Sequence, residues 1–99
     1  MTERESFCLV ITILERNGAA FRMDVECRDR GYLFRFWDEN DMQGKHGRAH
    51  EVVRRMNYFN ADSWEAGVFR KEFEYPSEED DLYQYIAAFE NKLAAVIAA

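Results

Sequence analysis

Phe7-Cys8-Leu9-Val10-Ile11-Thr12-Ile13-Leu14 is the stretch from which the fold follows. Seven of its eight residues are apolar and several are β-branched or aromatic. That composition suits a pleated strand with apolar neighbours on both faces rather than an exposed helix. Asn17-Gly18 follows at once, and Asn-Gly is the favoured pair for a two-residue hairpin turn. Such a turn sets Arg16 opposite Ala19. It then sets Leu14 opposite Phe21, Thr12 opposite Met23, Val10 opposite Val25 and Cys8 opposite Cys27. The second strand, Phe21 to Cys27, alternates cleanly, with Arg22, Asp24 and Glu26 on its other side.

A four-residue loop, Arg28-Asp29-Arg30-Gly31, with Gly31 in the left-handed conformation, leads to a third strand from Tyr32 to Trp37. Cys27 then faces Tyr32, Val25 faces Phe34, and Met23 faces Phe36, while Asp24 meets Arg35 as a cross-strand charge pair. Asp38 to Gly47 reads as a loop. From Arg48 to about Phe59, the spacing of Ala49, Val52, Val53, Met56 and Phe59 predicts a helix, with Arg54 and Arg55 near its end. Asn60 to Gly67 is a connection, with Trp64 folded back on the core. Val68 to Tyr75 alternates as a fourth strand, and Lys71 on its apolar side hints at a sheet edge.

Pro76 stops that strand, and Ser77-Glu78-Glu79-Asp80 opens a last helix, with Ser77 placed to accept from a free backbone N–H. Leu82, Ile86, Phe89, Leu93 and Val96 form its apolar stripe. At 1.5 Å per residue it is about 30 Å long, enough to cross the sheet. Residues 1–99 thus form a single α+β domain. A three-stranded antiparallel meander plus a fourth strand packs with two helices, in the order β-β-β-α-β-α.

The opposite face of this sheet collects Phe7, Leu9, Ile11, Ile13, Leu33 and Trp37, with Arg22, Asp24, Glu26 and Arg28 between them. A fully solvated face would not hold six large apolar side chains. Either the shorter helix covers it, which is the simpler expectation, or it stays open and mates with a second copy or another protein.

The net charge of −6 disfavours direct contact with a nucleic-acid backbone or an anionic membrane, whose binding rests on Lys and Arg. It suits a basic protein partner, or simply solubility. The first residues show no basic export region, and the apolar run is too short to span a bilayer, so a cytoplasmic protein is expected. In that setting Cys8 and Cys27 read as small, buried and reduced, in preference to a disulfide or metal site.

His46 and His50 stand four apart, a spacing that serves zinc on a helix. However, the zincin pattern has its glutamate beside the first histidine, and here Glu51 follows the second. No nucleophile elbow or glycine-rich phosphate loop is present, and the aromatics of the third strand are needed by the core rather than for base stacking. No cofactor is expected. Two acidic clusters remain: Asp38, Glu39 and Asp41; and Glu78, Glu79, Asp80 and Asp81. The second has a plain role at the positive end of a helix dipole.

These features point to a non-catalytic acidic protein-binding domain. The role expected is a small inhibitor or antidote, of immunity, antitoxin or phage anti-defence (anti-CRISPR-like) type, docking on a basic partner, with a homodimer as a further expectation. The alternatives are a metal-binding or enzymatic accessory using His46 and His50, and a chaperone-like adaptor.

Overall fold

The computed structural model describes residues 12–16, 18–41, 47–56 and 64–98. Strands β1 (Thr12–Arg16), β2 (Ala19–Arg28) and β3 (Gly31–Asp38) precede helix α1 (Arg48–Arg55). Strands β4 (Trp64–Glu65) and β5 (Val68–Glu74) follow, and helix α2 (Glu79–Ala98) ends the described chain. All strand pairs are antiparallel, in one sheet ordered β1-β2-β3-β5-β4. The α+β layer is as expected, with one strand added. Of the opening apolar stretch, Phe7 to Ile11 lie outside the described residues.

Over its described residues the meander has the expected register, while the expected pairs of Val10 with Val25 and Cys8 with Cys27 lie outside them. Gly18, at φ +85°, turns β1 into β2 so that Arg16 pairs with Ala19 and Leu14 with Phe21. In the next hairpin Val25 pairs with Phe34 and Met23 with Phe36. Its loop is shorter than expected: Arg28 pairs with Gly31, leaving only Asp29 and Arg30 to turn. Gly31 is not left-handed. It opens β3, and an ideal Cβ there would stand 2.0 Å from the carbonyl oxygen of Phe73 on β5. Close backbone approach, rather than a positive φ, requires glycine at this position.

The added strand, β4, lies in what reads from sequence as a plain connection. Ala66 (φ 53°) and Gly67 (φ 83°) both adopt positive φ, the geometry of a tight hairpin, and bring Trp64 opposite Phe69. Ala-Gly is a weaker turn signal than Asn-Gly, because alanine carries a Cβ into the left-handed region. β5 is therefore an interior strand, although β4 covers only its first residues. Lys71 shares a face with the core but stays exposed, its ammonium 5.3 Å from the centre of the Phe73 ring.

Register stacks Phe21, Met23 and Val25 of β2 beside Tyr32, Phe34 and Phe36 of β3, then Phe69 and Phe73 of β5. Phe89 of α2 sits over the middle of this surface, its ring centre 4.9 Å from Phe34 and 5.0 Å from Phe36. Leu82, Ile86 and Leu93 extend the same buried stripe. Helix α1 adds Ala49, Val52 and Val53 to the same cluster, and Met56, which caps its end, joins them. Both helices therefore cover one face, and the expectation that the shorter helix covers the second face is overturned. The reason lies in the partners on offer. The single apolar stripe of α1 gains nothing from burial against Arg22, Asp24, Glu26 and Arg35, whereas the Phe21–Phe36 side is apolar.

The start of α2 also differs in detail. Ser77 Oγ donates to Glu74 Oε1 at 2.9 Å rather than accepting from the helix. The turn is closed by Glu78, whose Oε1 accepts the Glu74 N–H at 2.8 Å. Cys27 is disulfide-bonded. The reduced-cysteine expectation is thus corrected for Cys27. Cys8, the chain's other cysteine, lies outside the described residues.

Candidate functional site

The second sheet face is built by register. Ile13 lies beside Arg22, which lies beside Trp37; Asp24 lies beside Arg35 and then Arg70; Glu26 lies beside Leu33 and then Glu72. The two adjacent arginines would repel, but each is held by an acid. Arg35 donates to both carboxylate oxygens of Asp24 at 2.8 and 2.6 Å, and Arg70 pairs with Glu65. Hydrogen bonding to Asp24 raises the Arg35 pKa further, and its guanidinium lies 5.7 Å from the Trp37 ring. Arg22 pairs with Glu39 at 2.5 Å.

Of the six apolar side chains expected here, Phe7, Leu9 and Ile11 fall outside the described residues. Ile13 is 51% exposed and Trp37 half-buried, while Leu33 is only 2% exposed. Among the described residues this face is a lattice of paired charges around one open isoleucine and one partly open tryptophan. Neither described helix lies on it.

The first acidic cluster divides. Asp38 is fully buried and accepts from the Ala20 N–H at 2.9 Å, the Asn40 N–H at 3.0 Å and Arg48 Nε at 2.9 Å. Burial pushes its carboxyl pKa up, but these hydrogen bonds and the Arg48 charge outweigh that and hold it below the ordinary value. Asp38 thus ties the end of β3 to β2 and to the start of α1; it offers no carboxylate to a partner. Glu39 is exposed and committed to Arg22, and Asp41 is half-buried.

The second cluster is different. Glu74, Glu78, Asp80 and Asp81 are exposed around the start of α2, and Glu79 is half-buried, accepting from the Tyr32 hydroxyl at 3.0 Å. The same corner carries Tyr75 and Tyr83, 38% and 47% exposed, which with Ile13 are the large hydrophobic residues most open to solvent among those described. Partial desolvation and the charges of Glu79 and Asp80 raise the Tyr83 pKa, so the hydroxyl stays neutral in a negative field. A groove of about 540 Å³ runs beside this corner, lined by Arg28, Arg30, Tyr32, Glu72, Glu74 and Glu78 among others.

From sequence Tyr75 was expected at the end of the fourth strand, on its apolar side with Phe69 and Phe73, whereas it lies just past β5 and is exposed; Tyr83 was not singled out. The signal for Tyr83 was legible, since it falls off the Leu82–Ile86–Phe89 stripe.

His50 is half-buried, its ring 5.0 Å from that of Trp64, which packs on Phe69 at 5.5 Å. His46 lies outside the described residues. Among the described residues no three His, Cys, Asp or Glu side chains converge as a metal site would need. No described helix is long and apolar enough to cross a membrane.

No protein-family model matches the chain, and none of the curated proteins or solved structures matches it either.

Proposed function

We propose that the chain is a non-catalytic protein-binding domain, acting as a small inhibitor or antidote whose acidic corner docks on a basic surface of a partner protein. The observation that supports this is the meeting, at one end of α2, of exposed acids with exposed tyrosines. Glu74, Glu78 and Glu79 have internal hydrogen bonds, so local structure accounts for them. Asp80 and Asp81 are exposed on the same corner. Carboxylates steer a basic partner, and tyrosine supplies large contact area with few rotatable bonds, which is why interfaces are rich in it.

The test compares affinity capture from source-cell extract by the wild-type chain with capture by the variant D80K/D81K/Y83A. All three positions are on the solvent side of α2, so the variant is expected to keep its helical spectrum. A basic protein retained by the wild type and lost by the variant is the expected result, with binding weakened by raised salt. Equal capture by both chains, or retention of no protein by the wild type, would remove the proposal.

A further inference from the structure

The far end of α2 carries the reverse chemistry. Between the β1–β2 hairpin, α1 and the last turns of α2 lies a groove of about 310 Å³. Phe21, Val52, Val96 and Ile97 give it apolar walls, and Arg16, Arg48 and Arg55 a basic rim.

The three arginines are not equivalent. Arg48 is committed, through Nε to Asp38 and through Nη2 to the carbonyl of Gly18 at 3.2 Å. Glu51, the acid on the rim, has both oxygens taken by Arg54, at 3.1 and 2.5 Å. Arg55 senses Glu51 only through space, and neither Arg16 nor Arg55 has a carboxylate within salt-bridge reach among the described residues. Both are exposed. In a chain of net charge −6, this is a local reversal of sign beside an apolar wall.

We infer that this groove binds a small amphipathic carboxylate, its anionic head at the Arg16 and Arg55 rim and its apolar body against Phe21, Val52, Val96 and Ile97. A guanidinium presents a planar fork that matches a carboxylate. The volume is about ten times a water molecule's share of the liquid, which sets the ligand near ten heavy atoms. A concave site with apolar walls and few convergent polar groups is the usual form of a small-ligand site. The 20 residues of α2, about 30 Å, separate it from the acidic corner, so the two surfaces can be occupied independently.

The probe is decanoate, titrated below its micelle concentration into the ¹⁵N-labelled chain. Decanol and decylamine serve as neutral and cationic controls. The expected result is saturable shift changes at Arg16, Ala19, Val52, Arg55, Val96 and Ile97, with decanoate binding at least about tenfold tighter than either control. The double variant R16Q/R55Q should weaken decanoate about tenfold while leaving the decanol response unchanged. Shifts centred elsewhere, no preference for the anion, or equal decanoate binding by the double variant would each overturn the assignment. The wild-type map and the three-ligand ranking decide the matter even should the variant fold poorly.

Discussion

Replacing Asp38 by alanine should damage this fold more than the loss of any other carboxylate in either acidic cluster. Three hydrogen bonds end on the Asp38 side chain, and their environments set the cost. The Ala20 N–H is buried, and stranding a buried donor costs about 1–3 kcal/mol. The Asn40 N–H lies in an exposed turn and can turn to water at little cost. Arg48 is half-exposed, so losing that pair adds at most about 1 kcal/mol. The total is about 3 kcal/mol, or a fall in Tm of about 12–24 °C for a domain of this size. Asp38→Asn keeps an acceptor for Ala20 and should cost about half as much.

Urea unfolding followed by tryptophan fluorescence reads this directly. The pH dependence gives a second check. Because the folded carboxyl titrates below its unfolded value, its contribution is complete above the ordinary carboxylate range. It is lost as pH falls through the depressed folded value. The gap between wild type and Asp38→Asn should therefore narrow from pH 7 toward pH 3 and below. An Asp38→Ala cost under about 1 kcal/mol, or a wild-type–Asn gap that is the same at both ends of that range, would refute the role assigned to Asp38.

Gly31→Ala should cost about 3 kcal/mol in the same urea assay, since the new methyl meets backbone rather than a side chain that can move aside. A near-neutral result would mean that β3 and β5 do not approach so closely. Tyr32→Phe should cost about 1.5 kcal/mol by loss of the hydrogen bond to Glu79, with the ring still in place; an unchanged midpoint would show that bond to contribute nothing. Cys27 should resist alkylation in the unfolded chain until a reductant is added, and mass spectrometry of the labelled protein checks this. Label taken up without reductant would contradict the disulfide. Its persistence in protein isolated from the source cell would count against the cytoplasmic expectation.

Local chemistry accounts for what could be read early. The two-residue turn at Asn17-Gly18 admits one register for β1 and β2, and the short loop ending at Gly31, with the apolar alternation on both sides of it, sets that of β2 and β3, so Asp24 beside Arg35 and Met23 beside Phe36 were legible from residue order. The apolar stripe of α2 was legible for the same kind of reason, since helical spacing depends on near neighbours. β4 was not legible, because Ala66 gives no warning that it will take a positive φ. Nor was the service of Asp38, because an aspartate in an acidic run looks like surface until the Ala20 N–H and Arg48 are brought to it from other elements.

The amino-acid order alone therefore determined the strands of the meander, their pairing, and which faces of strand and helix are apolar. Tertiary structure decided three further matters. It placed both helices on one face of the sheet, it buried Asp38 while leaving Asp80 and Asp81 in solvent, and it brought Arg16 and Arg55 to one groove. Periodicity reports which side of an element prefers burial. It does not report which distant element arrives to cover that side, and a charge acquires its role only from what is packed against it.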